Sequence, residues 1–334
     1  MTDILGTNDP DELKTIEDFY SKMGKLPDRF DFEENIPAEL IEEFHRQQES
    51  GMILIPGGYF TYGIKQEDVP EKSFGWTDSV TEKKVWLPPF FIDKYPVTNE
   101  EYDDFVKDIK TQGHIFCHLS EPEEKDHTRN TYWDERFKSE HPVAGIDWYD
   151  AYAFARWKGK DLPSEFQWEK AARGEVGQIW PWGNEFNEKA CNWSYQLFGR
   201  KHASLQEWRK DLLKVTSIYP STLIREASNY EEYASPYGVV GMVGNHWEWT
   251  CSDWSTRRHI SPAVGKNLLH SHHDDGVLKG GSFSSLPGLL YPSYRGRDAL
   301  FCRHNEMGIR CVKNISINLL RKAINKPLTN TAIY

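Results

Sequence analysis

Thirteen tryptophans set among glycine turns constrain this chain more than any other feature. Runs such as WPWGNEF (180–186) and GNHWEW (244–249) place indoles beside residues that turn the backbone sharply. Indole rings can pack on such backbone, but each ring N–H needs an acceptor once buried. A loop-rich core of large flat side chains is therefore expected. With 334 residues, 14% of them aromatic, a core of ample size is possible. At roughly 100–200 residues per domain, the length allows one large domain with an extension, or two domains. No stretch of about 18 apolar residues exists, so no transmembrane helix is expected.

The charge is unevenly placed. The chain has 51 acidic and 40 basic residues, a net of -11. Residues 1–48 hold 13 acids and 5 bases, a net of -8, which leaves -3 for the other 286. Neutralising phosphates needs a basic face, so direct nucleic-acid binding is not expected. Two helices are read in the acidic segment. One starts at Asp9 and Pro10 and carries Leu13, Ile16, Phe19 and Met23; the other follows Pro37 with Leu40, Ile41 and Phe44 on one face. Their acidic outer faces are either plain solvated surface or a docking site for another protein of basic character. The five cysteines (Cys117, Cys191, Cys251, Cys302, Cys311) form no tight framework, and no basic region followed by an apolar run opens the chain. A cytoplasmic protein with reduced thiols is expected.

Periodicity is clear only in the first half. Residues 52–63, MILIPGGYFTYG, read as a strand, a Pro-Gly-Gly turn and a second strand, a hairpin. Residues 85–98 read as a further strand. A helix is predicted over 98–109, with Thr98 and Glu101 as a capping box. Another begins at Asp147, with Tyr149, Tyr152, Ala153 and Trp157 on its buried side. A third spans 162–174, capped by Ser164 with Gln167 three residues on and stopped by Gly174. Residues 204–214 suggest one more helix. Beyond these, short strands and turns are expected.

Seven blocks occur in an order that resembles the formylglycine-generating enzyme (sulfatase-modifying factor) domain family. They are IPGGYFTYG (55–63), FFIDKYPVTNEEYDDFV (90–106), HPVAGIDWYDAYAFARWKGKDLPSEFQWEKAARG (141–174), WPWGNEF (180–186), YGVVGMVGNHWEWTCSDW (237–254), LKGGSF (278–283) and YRGRDALFCRHNEMGIRCV (294–312). The resemblance implies an α/β (α+β) fold, a variant of the C-type-lectin fold with little regular secondary structure. It divides the chain into an acidic helical extension (1–50), the family domain (51–313) and a tail (314–334).

The resemblance also implies where chemistry would sit. In the enzymes that this domain resembles, two cysteines after the GGS motif bind copper and oxidise a substrate cysteine. Soft thiolates suit Cu(I). Here Ser282 matches the family serine, but the two cysteine positions fall on Ser285 and near Leu290. Copper and formylglycine generation are therefore not expected. The leading expectation is a non-catalytic binding module whose cleft, lined by Ser282, Ser285, Tyr294, Arg295 and Arg297, takes a peptide or small ligand. For each of these arginines, pairing inside the core is the competing reading. Structural Ca²⁺ is implied at Asn245 and Glu248, with Asn192 matching part of a second calcium site. Ala155 and Ala172 stand where secreted members have cysteines.

One insertion carries metal-ligand residue types: GHIFCHLSEPEEKDHT, with His114, Cys117, His118, Glu121 and His127. On a helix, His114 and His118 would share a face. With His127 or Glu121 they could ligate zinc or iron. That supports an alternative, a metal-dependent oxidase resembling the family's non-haem-iron sulfoxide synthases. Pro122 and the acidic run favour a loop whose polar groups hydrogen-bond internally instead. His270, His272 and His273 are read as surface residues, and His246 as part of the core.

Overall fold

The computed structural model describes residues 38–70, 81–122, 124–130, 138–215, 223–260 and 275–315. The first acidic helix, the His270, His272 and His273 loop and the tail beyond residue 315 lie outside the described residues. In chain order the elements are α1 (Ala38–Glu49), β1 (Met52–Ile55), β2 (Gly58–Tyr62), β3 (Lys83–Leu87), β4 (Phe90–Asp93), α2 (Asn99–Gln112), α3 (Trp148–Trp157) and α4 (Glu165–Arg173). Then follow α5 (Ser194–Phe198), α6 (Leu205–Val215), β5 (Trp247–Asp253), β6 (Asp275–Lys279), β7 (Gly296–Ala299), β8 (Met307–Gly308) and β9 (Val312–Asn314). The fold is mixed α/β, with long irregular stretches between short elements.

The strands form three small sheets, ordered β1-β4-β9, β2-β3 and β7-β6-β5-β8. The hairpin expected over 52–63 does not form. β1 pairs antiparallel with β4, Met52 opposite Asp93, while β2 pairs antiparallel with β3, Gly58 opposite Leu87. The reason lies at the corner between them. Buried Lys170 of α4 donates to the carbonyls of Pro56 (2.6 Å) and Gly58 (3.1 Å), so the two strands part around its ammonium. Burial brings that lysine's pKa down to about 8. The strand expected over 85–98 is likewise two strands. Pro88 and Pro89 lack the N–H that a continuous ladder needs, and β3 and β4 join different sheets.

The helices predicted over 98–109, from Asp147 and over 162–174 form, with the predicted caps at Thr98 and Ser164 and a further one at Asp147. Thr98 and Glu101, Asp147 and Asp150, and Ser164 and Gln167 each make reciprocal capping bonds. Gly113 and Gly174 then end α2 and α4. Of the residues expected on the buried face of α3, only Ala153 is fully buried. Trp148, Ala151, Phe154 and Ala155 are buried, while Tyr149, Tyr152 and Trp157 are only partly so. Trp148 turns its indole inward at the first helical position and donates to the Thr250 carbonyl at 2.9 Å, which sets the phase. Other indoles find acceptors as expected: Trp180 on Leu290 O (2.8 Å), Trp249 on Ile146 O (3.2 Å) and Trp208 on Ser284 O (2.8 Å).

Arg310 and Glu248 knit these pieces together. Arg310 Nε and Nη2 donate to the Glu248 carboxylate at 2.9–3.3 Å. Nη1 donates to the carbonyls of Asp93 and Lys94, and Nη2 also to that of Val240. Trp168 of α4 donates to the same carboxylate at 2.6 Å. Both charged side chains are buried. Removing one partner of such a pair costs about 3–5 kcal/mol, because the other charge is stranded. Arg310→Met is therefore expected to lower unfolding free energy by about that amount in urea titration. A loss within about 0.5 kcal/mol, the range of an ordinary surface change, would contradict the role given to this pair.

Candidate functional site

The segment after β6 holds the family serine. Gly280 and Gly281 run at positive φ, and a Cβ on Gly281 would lie 2.6 Å from Leu290 Cδ2. Only glycine lets the backbone pass that closely. The chain then buries two hydroxyls against one carboxylate, with a third beside them. Ser282 Oγ donates to Glu306 Oε2 at 2.7 Å and Ser284 Oγ donates to the same oxygen at 2.6 Å. Ser285 Oγ accepts from the Ser282 N–H at 3.0 Å. Ser282, Ser284, Ser285 and Leu290 are all buried. Hydroxyls and a carboxylate are hard donors, and none can stand in for a Cu(I) thiolate. Glu306 lies 24 positions after Ser282, and nothing in its sequence neighbourhood marks it as their partner.

The five side chains expected to line one cleft do not meet in one. Ser282 and Ser285 belong to the Glu306 cluster. Tyr294 packs on Tyr291 and Trp247 in an aromatic core. Arg295 is committed to a buried bidentate pair with Glu165 (2.6 and 3.0 Å) and to the Trp254 carbonyl. Glu165 in turn accepts from Tyr62 at 2.6 Å, and burial raises the phenol pKa. Arg297 lies outside this core, stacked over Trp254 at 4.1 Å and 3.6 Å from Asp275. Arg295 thus follows the competing reading, pairing inside the core, whereas Arg297 is exposed and does not.

The residues implied as calcium ligands are also committed. Both Glu248 oxygens accept from Arg310, and one also from Trp168. Asn245 Oδ1 accepts from Arg225 N (2.8 Å) and from Asn192 Nδ2 (3.0 Å). So Asn192 and Asn245, expected at two separate calcium sites, hydrogen-bond to one another. Ca²⁺ asks for six to eight oxygens with free lone pairs. A guanidinium and three N–H donors occupy the oxygens of Glu248 and Asn245 here, so these two side chains do not fit the ion.

The His/Cys insertion is a series of turns rather than a helix. It brings His114 and His127 together with Cys117 and Glu121, but not with His118. His114 Nδ1 lies 3.0 Å from Glu121 Oε1 and 3.4 Å from Cys117 Sγ; His127 Nε2 lies 3.1 and 3.4 Å from the same atoms. His118 turns the other way, edge-on to Trp148 and Tyr152, with its Nδ1 accepting from Ser120 N. Burial lowers its pKa to about 4, so it is a neutral packing ring at pH 7. A non-helical loop breaks the i, i+4 premise, and Cys117 takes the place the spacing gave to His118.

His246 is fully enclosed against Gly308, with neither ring nitrogen hydrogen-bonded. Burial pushes its pKa down to about 4. An unfolded histidine takes a proton near pH 6.5. Between those values the unfolded chain binds more protons, so stability falls as pH drops through the window. The slope is on the order of 1 kcal/mol per pH unit. His246→Leu is expected to flatten the fall in melting temperature between pH 6.5 and 4 relative to the parent. An unchanged slope would show that His246 is protonated in the folded state.

Comparison with known proteins follows the same lines. Residues 37–315 match the family model described as the Sulfatase-modifying factor enzyme 1-like domain. The chain is 52% identical over its whole length to the uncharacterized protein YfmG of Bacillus subtilis, covering 69% of that protein. It is 30% identical to the inactive Cα-formylglycine-generating enzyme 2 of Bos taurus, across 64% of this chain and 74% of that one. Among solved structures, PvdO from Pseudomonas aeruginosa is similar in fold, with a TM-score of 0.52 and 18% identity over 79% of this chain and 94% of PvdO. The order of the blocks, the mixed α/β fold and the match across most of the sequence place this chain in the sulfatase-modifying factor (formylglycine-generating enzyme-like) family.

Proposed function

We propose that this chain is a catalytically diverged member of its family that works as a protein-binding module. One observation carries the reading. Where the copper chemistry needs two thiolates, the chain has Ser285 and Leu290, both buried. Ser282 and Ser284 spend their hydroxyls on Glu306. A group held in internal hydrogen bonds is not free to activate oxygen or a substrate thiol. That a relative of similar length is named as an inactive enzyme supports the same direction. So does the charge distribution, since residues 1–48 carry -8 of the net -11, a charge suited to a basic partner. The iron-oxidase alternative rested on three histidines, and His118 faces away from the other two.

The test is turnover with metal supplied. Purified protein is given Cu(I) or Fe(II), a reductant, oxygen and a cysteine-containing peptide. Oxygen uptake no faster than with the metal alone, and no aldehyde on the peptide by mass spectrometry, is the expected result. Aldehyde formed in proportion to protein would overturn the reading.

A further inference from the structure

The insertion between α2 and α3 holds four ligand-type atoms that converge instead of pairing off. Nδ1 of His114, Sγ of Cys117, a carboxylate oxygen of Glu121 and Nε2 of His127 all lie within 4.8 Å of one another. Four of the six distances between them are 3.0–3.4 Å. Zinc bonds of about 2.0–2.3 Å give a tetrahedron with edges of about 3.3–3.8 Å, close to this spacing. Hydrogen bonding alone accounts for the arrangement poorly. It asks one oxygen, Glu121 Oε1, to serve both imidazoles, and it leaves Oε2 buried with no partner on a side chain only 4% exposed.

We propose that His114, Cys117, Glu121 and His127 form a structural zinc site. The donor set selects the ion: two imidazoles and a thiolate suit Zn²⁺ and not the hard cations Ca²⁺ or Mg²⁺. The charge balances as well. Cys117 Sγ and His127 Nε2 each release a proton to solvent on binding, and one thiolate with one carboxylate then cancels the divalent charge. Four protein ligands leave no open position, which marks a structural rather than a catalytic zinc. The surrounding groups are already placed. His127 Nδ1 faces Asp150 Oδ1 at 2.9 Å, the carboxylate–histidine arrangement that fixes the ring for a metal on its other nitrogen. Arg303 holds the same Asp150 oxygen at 2.9 Å. The His127 carbonyl accepts from Tyr102 of α2 at 2.8 Å. Zinc at this centre ties the insertion to both α2 and α3.

The experiment uses the full chain, purified without chelator and assayed for metal, then stripped and reloaded with Co²⁺. One zinc per chain is expected, with a cobalt spectrum that shows a thiolate charge-transfer band and tetrahedral d–d absorption. Cys117→Ser should abolish the charge-transfer band. Glu121→Gln, which keeps the side-chain volume, should weaken zinc binding against a competing chelator by about tenfold or more while retaining the band. A parent protein that holds neither zinc nor cobalt overturns the proposal. So does a charge-transfer band that survives in Cys117→Ser, because the metal would then sit on another thiol, such as Cys302 beside Asp298 and His304. If Cys117→Ser fails to fold, Glu121→Gln decides: unchanged zinc affinity in that variant also overturns it.

Discussion

The Arg310–Glu248 pair is the constraint on which the rest of the structure depends. A guanidinium has five N–H donors in a rigid fork. Here Nε and Nη2 meet the carboxylate, and the remaining donors meet the carbonyls of Asp93, Lys94 and Val240. Those acceptors come from the end of β4, from the 234–246 loop and from β5. A chain with so few long elements cannot rely on extended ladders for its backbone partners. It uses one cation to satisfy loop carbonyls that would otherwise be buried unpaired.

Helix α4 repeats this logic. All nine of its residues are buried, including Glu165, Glu169, Lys170 and Arg173. Glu165 takes Arg295 and Tyr62. Glu169 takes Arg173 at 2.7 Å and Lys279 at 3.1 Å. Lys170 holds the β1–β2 corner apart. Such pairs add little net stability compared with apolar packing, but breaking one is costly. As a hypothesis, their use here is to specify one arrangement of irregular loops. The serine–Glu306 cluster belongs to the same pattern, with polar groups turned inward and fully engaged. Reactive chemistry needs the opposite, groups left partly unsatisfied until substrate arrives. That contrast underlies the binding-module reading.

Local rules were legible in the sequence and long-range ones were not. Capping boxes are decided within four residues: the two predicted at Thr98 and Ser164 formed, and a third formed at Asp147, where only a helix start was expected. The indole acceptors were expected in kind, though their identities, such as Leu290 for Trp180, depend on the fold. The Pro56-Gly57-Gly58 turn read as a hairpin because the lysine that opens it lies more than 110 positions away. The phase of α3 shifted by a residue because Trp148 found Thr250, again about a hundred positions off. At the candidate site, Ser282 and Ser285 were visible through the family resemblance; Glu306 lies inside the last block, but nothing there marked it as the partner of the serines. In the insertion, residue types were legible, but assuming a helix selected His118 where the turns deliver Cys117. The family resemblance implied calcium at Asn245 and Glu248; the partners that occupy them, Arg225 and Arg310, come from distant segments.

The central claim is that this domain meets its buried polar groups with its own side chains where the family pattern implies ligand chemistry. Calcium tests this most directly, because Glu248 cannot serve both Arg310 and the ion. The measurement is the thermal melting temperature of exhaustively dialysed protein with and without millimolar Ca²⁺, against Mg²⁺ as a control for ionic strength. A ligand that binds only the folded state stabilises by about 2.7 kcal/mol at a hundred times its dissociation constant, a shift of several degrees. The account expects no difference between the two ions. A rise specific to Ca²⁺, lost in Glu248→Gln, would contradict it.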